Sequence, residues 1–328
     1  MSGRLFAWMF LCAFVSGGSL AGEEKPAQIR VGIIGLDTSH AIAFTEVLNG
    51  DNPSPDVAGC RVVAAYPKGS NDIESSVKRV PEYTEKIKKL GVEIVGSIDE
   101  LLSRVDAVLL ESNDGRPHLE QARLVFKSHK PVFIDKPIAG SLRDAIAIIK
   151  ESQAAGVPMF SSSSLRFGKA TLAARGGALG AIKSCETSSP ATLEPHHPDL
   201  FWYGIHGVES LFTVMGPGCK SVIRSQQDGK ICVTGTWEDG RTGVFREGSG
   251  YSGKAVGATA TGDLGQYEGY RPLVVEIVKF FRTGVVPVNP EETLEIYAFM
   301  EAADESKRQG GAAVTLESVL KAAGYSKP

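Results

Sequence analysis

The sequence is poor in several things that would settle its class at once. It carries no large excess of charge: 35 Lys and Arg stand against 38 Asp and Glu, a net charge of −3. That balance offers no field for gripping nucleic acid, and no long basic run makes up for it. Cysteine is scarce, at five in 328 residues, which excludes a disulfide scaffold. The 37 Gly and 17 Pro follow no period, so a collagen-like or coiled-coil reading fails. There is no internal repeat and no low-complexity linker. What is present is ordinary for a globular protein: 42% hydrophobic and 22% charged residues. That supplies enough apolar side chain to offset the ordering of the chain. At roughly 150 residues per domain, the length predicts two domains with proper cores.

Residues 1–22 read as an address. Arg4 is followed by an almost wholly apolar run at 5–15 and by the small residues around Ser19-Leu20-Ala21. This order predicts a cleaved secretory signal peptide, since the run is too short to span a membrane comfortably. No paired arginines precede it, and Cys12 lies inside the run, a poor place for a lipidated mature terminus. The expected location is therefore secreted or periplasmic, with no stable membrane span after cleavage. An oxidising compartment permits a disulfide among Cys60, Cys185, Cys219 and Cys232, and buried free thiols fit equally. Their spacings match no zinc pattern.

From residue 28 strand and helix signals alternate. Short apolar runs at 29–34, 61–66, 92–95, 106–110, 131–134 and 157–160 have the form of buried parallel strands. Helical stretches fall between them at 38–48, 73–90, 99–104, 117–128 and 141–155, with Pro81 expected to break or start the second. The alternation predicts an α/β domain at 28–160, a Rossmann-type doubly wound parallel sheet whose ligands bind beyond the carboxyl ends of the strands. The pattern then changes. Runs at 181–192, 220–226, 230–237, 241–246 and 254–261 read as strands, with Asp228-Gly229 and Asp239-Gly240 as hairpin turns. Helical stretches at 204–215, 270–283 and 291–309 interrupt or close this part. It reads as a second α+β domain at 161–328 on a mostly antiparallel sheet.

Three features in fixed order carry a resemblance. The first strand ends Gly-Ile-Ile-Gly at Gly35, the fifth runs into Asp135-Lys136-Pro137, and a later helix opens with Gly204-Ile205-His206. From about Gln28 to its end the chain resembles the Gfo/Idh/MocA family of glucose–fructose oxidoreductase, inositol dehydrogenase and relatives. The resemblance implies a Rossmann domain followed by an antiparallel-sheet domain. It also implies NAD or NADP as cofactor, a carbohydrate or cyclitol as substrate, and contacts between copies of the chain in a homo-oligomer.

Lys136 and His206 are the catalytic candidates. A lysine at the carboxyl end of a parallel strand is held where ligands bind, and desolvation there lowers its pKa so that it can trade a proton with a hydroxyl. His206 matches the histidine that the family places facing the nicotinamide. The family's acid four residues before it is here Trp202, so Glu209, on the same helix face, is the candidate partner. Trp202 and Tyr203 offer a stacking platform for a sugar ring. For the cofactor, only Gly35 of the family's glycine motif stands, with Asp37 and His40 in the other two places. Thr38 and Ser39 supply hydroxyls at a helix N-terminus. Lys68 and Ser70, after Pro67 at the end of the second strand, would either accept a 2′-phosphate or form a solvated turn. Glu111 and Asn113 follow the fourth strand, where the resemblance implies contact with the nicotinamide side. Asp135, Arg166 and His118 complete the substrate candidates; for Arg166 the bland reading is a surface salt bridge and for His118 an ordinary helix position.

The run Glu194-Pro195-His196-His197-Pro198-Asp199 has residue types that bind divalent ions, with His206 as a further ligand. Adjacent histidines seldom reach one ion, so the run reads as a substrate-contact or plain loop and no metal is assigned. The leading expectation is an exported oxidoreductase transferring hydride between a tightly held nicotinamide cofactor and a carbohydrate or cyclitol hydroxyl. Two alternatives stay open: a glycoside hydrolase or lyase that retains NAD and oxidises its substrate transiently, and a non-catalytic sugar-binding protein on the same scaffold.

Overall fold

Two sheets organise the chain. A computed structural model describes residues 28–325, so the segment at 1–22 expected to be a signal peptide lies outside the described residues. The first sheet has six parallel strands: β1 (Ile29–Ile34), β2 (Cys60–Tyr66), β3 (Glu93–Ile94), β4 (Ala107–Leu110), β5 (Val132–Ile134) and β6 (Met159–Ser161). Their order is β3-β2-β1-β4-β5-β6, which reverses between β1 and β4. The loops leaving those two strands diverge, and a crevice opens at their carboxyl ends. Strands β4, β5 and β6 are buried on both faces, as a sheet covered by helices requires.

The covering helices are α1 (Ser39–Asn49), α2 (Glu74–Lys89), α3 (Ile98–Arg104), α4 (His118–Lys127) and α5 (Leu142–Ala155). Ser97 and Ser141 cap α3 and α5 by accepting from backbone N–H groups three residues on. The break expected at Pro81 does not occur, and α2 runs through it. Pro81 lies on the solvent side, and Val77, whose carbonyl it leaves without a helical donor, is 51% exposed.

The second sheet has seven strands: β7 (Ile182–Ser189), β8 (Cys219–Gln227), β9 (Lys230–Trp237), β10 (Thr242–Glu247), β11 (Ser252–Gly257), β12 (Thr261–Leu264) and β13 (Val314–Thr315). All its pairings are antiparallel except β10 with β7. Asp228 and Gly229 both take positive φ, the backbone that a two-residue hairpin between β8 and β9 demands. The strand expected at 181–192 stops at Ser189, because Pro190 has no N–H to donate. The one expected at 254–261 is two strands, β11 and β12, joined by a tight turn. A 3₁₀ turn (Ser164–Phe167) and the helices α6 (Lys169–Arg175), α7 (Ile205–Met215), α8 (Arg271–Thr283), α9 (Pro290–Arg308) and α10 (Leu316–Ala322) complete this part. The short helices α6 and α10 were not legible in the sequence.

α7 lies beneath the second sheet and is buried along its whole length. α8 returns to the first sheet, where Leu273, Ile277 and Phe280 join a core with Phe44, Phe133 and Phe160. The last strand of the first sheet runs to Ser161, and α8 carries residues from the second half of the chain into the core of the first sheet. Cys60, Cys185, Cys219 and Cys232 are buried free thiols. Burial pushes Cys60 up to about 11 and Cys185 and Cys219 up to about 12, which keeps them protonated and unreactive. No described helix is long and apolar enough to cross a membrane.

Candidate active site

Strand β5 ends where the crevice opens, and Asp135 and Lys136 follow it directly. Asp135 N–H still pairs with Leu110 O of β4 at 2.9 Å, and the Tyr297 hydroxyl of α9 fixes the turn by accepting from Ile138 N–H at 2.6 Å. Lys136 is thereby held in the wall of a cleft of about 360 Å³, only 6% exposed. Its ammonium lies 5.7 Å from the Tyr203 ring centroid. Burial lowers the Lys136 pKa, and the Asp135 and Glu111 carboxylates oppose that shift.

His206 enters the same cleft from the first turn of α7. Its Nδ1 lies 2.7 Å from Ser163 Oγ, which also accepts from Leu165 N–H. Burial drives its pKa well below the ordinary imidazole value, and the Lys136 charge pushes the same way. At neutral pH it is therefore an uncharged ring. When Ser163 donates to Nδ1, Nε2 carries the proton and is the ring's donor group. Tyr203 and Tyr251 stand edge-on to the ring at 5.6 and 5.7 Å. Trp202, Tyr267 and Tyr270 extend this aromatic wall.

The partner expected for His206 is engaged elsewhere. Glu209 accepts from Ser162 Oγ, from Ser163 N–H at 2.7 Å and from Arg166 Nε at 2.7 Å. It fixes the chain that carries Ser163, and so the imidazole indirectly. Arg166 is not a surface residue: it is 3% exposed and pairs with Glu209 and Glu292, with Arg175 behind it. His118 does not look into the cleft either, since its two ring nitrogens lie 3.2 Å from Ile138 O and 2.7 Å from Ser112 O.

In the first loop Gly35 has φ of +94°, and an added Cβ would come within 2.4 Å of Ser112 N, so only glycine fits. Thr38 caps α1 through His40 N–H, and Thr38, Ser39 and Asn113 line the cleft. Asp37 turns inward instead. Its Oδ1 accepts from Asn113 N–H at 2.9 Å and its Oδ2 from Ser76 Oγ at 2.7 Å. Burial raises its pKa, which reduces the negative charge beside the loop. Arg79 of α2, which sequence reasoning missed, lines the cleft on this side and donates to Asp37 O at 3.3 Å. Nothing in its spacing marked it, and the same holds for Tyr251, Tyr267 and Tyr270.

His40 is on the cleft, with Nδ1 2.7 Å from Asp135 Oδ2. Asp135 is fully buried, which opposes its ionisation, yet the His40 ring and the Lys136 ammonium outweigh burial and its pKa is lowered. Glu111 is fully buried beside it. Burial and the Asp135 charge raise its pKa well above the usual range. The structure thus places Glu111 and Asp135 behind the cleft wall rather than on its surface.

Lys68 is exposed, and Ser70 is hydrogen-bonded to Asp114. Arg116 grips Asp114 and Asp72 together, tying the loop after β2 to the loop after β4. The histidine-rich loop closes on the same knot: His197 Nδ1 is 2.7 Å from Glu194 and its Nε2 accepts from Gly115 N–H at 3.1 Å, while His196 pairs with Glu194. Asp199 pairs with Arg224 and Lys307. That loop is stitched by hydrogen bonds, with His206 bound to a different partner.

Comparison with known proteins places the chain beside oxidoreductases of one fold. Residues 29–162 match the Gfo/Idh/MocA model, described as oxidoreductase family, NAD-binding Rossmann fold. Over 131 residues the chain is 30% identical to the inositol 2-dehydrogenase of Cereibacter sphaeroides, a match covering 39% of this chain and 34% of that relative. The chain thus spans about a third of the curated relative it matches. Among solved structures, the myo-inositol dehydrogenase of Lactobacillus casei in complex with NAD(H) and myo-inositol superposes with a TM-score of 0.68 at 17% identity, covering 88% of this chain and 96% of that one. The scyllo-inositol dehydrogenase of the same organism, with NAD(H) and scyllo-inositol, gives 0.68 at 16% identity over 88% and 99%. At such identities the agreement is one of fold: a parallel Rossmann sheet followed by a mostly antiparallel one.

Proposed function

We propose that this chain is an oxidoreductase of the Gfo/Idh/MocA type, moving a hydride between a nicotinamide dinucleotide and a hydroxyl-bearing carbon of a carbohydrate or cyclitol. The observation that carries this reading is the Lys136 ammonium, desolvated at the end of β5 and sharing one cleft with the neutral His206 imidazole. The match of residues 29–162 and the inositol dehydrogenase relative point the same way.

The chain's own groups fit such a cofactor at the diphosphate and nicotinamide end. Thr38 and Ser39 bring hydroxyls to the N-terminus of α1, and Arg79 brings a guanidinium to the same stretch of cleft. Asp37, the residue that would repel a diphosphate, keeps both carboxylate oxygens turned onto Asn113 and Ser76. When bound, the dinucleotide supplies the hydride acceptor or donor. Lys136 as the neutral amine takes the proton of the substrate hydroxyl at Nζ as the alkoxide character develops, and as the ammonium it returns that proton in the reverse direction. His206 orients the hydroxyl through its ring nitrogen. The tyrosine wall excludes water and presents flat apolar faces to a sugar or cyclitol ring. The signal-like segment at 1–22 adds export to this reading, and an exported enzyme must hold its cofactor through purification.

The test is direct. Protein purified from its own host should release a nicotinamide dinucleotide when a sample is denatured, and in the native protein a member of a panel of cyclitols and sugars should reduce or oxidise that cofactor. No released dinucleotide, together with no fluorescence change on adding NADH or NADPH, overturns the proposal. The aromatic wall also favours a plain sugar-binding role. In that case Lys136→Met leaves ligand affinity intact and there is no turnover to lose.

A further inference from the structure

We propose that His40, Glu111 and Asp135 form a binding site for one divalent first-row transition cation in the wall of the cleft. The topology brings them together. β4 and β5 are neighbours with Leu110 opposite Ile134, so Glu111 and Asp135 leave the sheet side by side. His40 sits in the first turn of α1, after β1, the other neighbour of β4. One ligand atom from each of the three residues lies within 4.8 Å of the other two, and all three residues are buried.

The polar atoms here are otherwise orphaned. Both carboxylate oxygens of Glu111, both of Asp135, and Nδ1 of His40 are buried without a hydrogen-bond partner. Nδ1 and Asp135 Oδ2 are 2.7 Å apart and still make no aligned hydrogen bond. Buried acceptors in this state are rare, because their desolvation goes uncompensated. The nearby positive charge is Lys136, one ammonium for two carboxylates. A divalent ion would satisfy the orphaned oxygens and relieve the repulsion between them. One imidazole and two carboxylates suit zinc, manganese or iron(II), with metal–ligand distances of about 2.0–2.2 Å. The four buried thiols lie on other elements, so a soft, sulfur-bound ion is not the match. His40 and Lys136 line the cleft, so an ion enters from that side and keeps a coordination position for water or a ligand oxygen. The site stands apart from the redox reading, since its occupancy is read without turnover.

The experiment uses the full chain, stripped with a chelator, dialysed, exposed to Zn²⁺ and desalted. Metal analysis should find one zinc per chain in the unmodified protein and background levels in the near-isosteric Glu111→Gln. Zinc should raise the melting temperature of the first and not of the second. Loading with Co²⁺ should give visible d–d bands that Zn²⁺ displaces, a reading that holds even where the variant folds poorly. No zinc in the unmodified chain, equal retention in both proteins, or a cobalt spectrum of the free aquo ion overturns the site. In those outcomes Glu111 instead stays protonated beside the Asp135 carboxylate, and the dinucleotide test above is unaffected.

Discussion

At the scale of single residues, function and stability rest on charges taken out of water. Lys136→Met removes the amine at the end of β5 while keeping its apolar stem. It should lower kcat/KM for the best polyol substrate by about 10²–10⁴-fold, with circular dichroism unchanged. Arg166 and Glu209 behave differently. They form a buried network with Glu292, in which one charge removed leaves another uncompensated. Glu209→Gln should therefore cost about 3–5 kcal/mol in chemical denaturation, and it should disturb His206 only through the Ser163 segment. Lys136 was legible in the sequence because a lysine before proline at a strand end has one exit. The role of Arg166 was not, because its partners are 43 and 126 residues away. The same distance problem hid the fate of Asp37, whose carboxylate is satisfied by Asn113 and Ser76 rather than facing a ligand.

At the scale of elements, local chemistry set most boundaries. Ser141 caps α5 at its start and Gly156 in the left-handed conformation ends it, both readable in the sequence. Asn49, at the last turn of α1, does something no propensity announces. Its amide donates to Val62 O and Leu90 O and accepts from Val62 N–H, binding α1 to β2 and to the end of α2. Asn49→Ala should leave those buried backbone groups unpaired and cost about 1–3 kcal/mol, seen as a lower denaturation midpoint at constant slope. Pro81 was misleading because a proline breaks a helix only where the carbonyl it leaves unpaired has no water to turn to. The split of β11 from β12 follows from pairing partners that a single run of residues does not contain.

For the whole molecule, the buried imidazoles couple stability to pH. Burial lowers the pKa of both His206 and His118 below the ordinary 6.5. As pH falls through that value the unfolded chain takes up protons that the folded chain refuses, so folding loses stability on the acid side. The melting temperature should drop between pH 7 and 5, and His206→Asn should flatten that slope. A slope unchanged in the variant assigns the loss to other groups. Stability on the alkaline side of 7 should be insensitive to either ring, since both are neutral there in both states.

The amino-acid order by itself determined the alternation of strands and helices, the hairpin at Asp228-Gly229 and the change from a parallel to a mostly antiparallel sheet. Those features depend on hydrophobic period and turn chemistry, which act over a few residues. Only the tertiary structure decided which polar groups face the cleft and which are spent inside the protein. Arg79 and the tyrosines at 251, 267 and 270 reach the cleft from elements far apart in sequence, while Asp37, Glu209 and His118 turn away from it. A side chain's direction follows from the donors and acceptors around it, and here those donors and acceptors come from the opposite end of another loop.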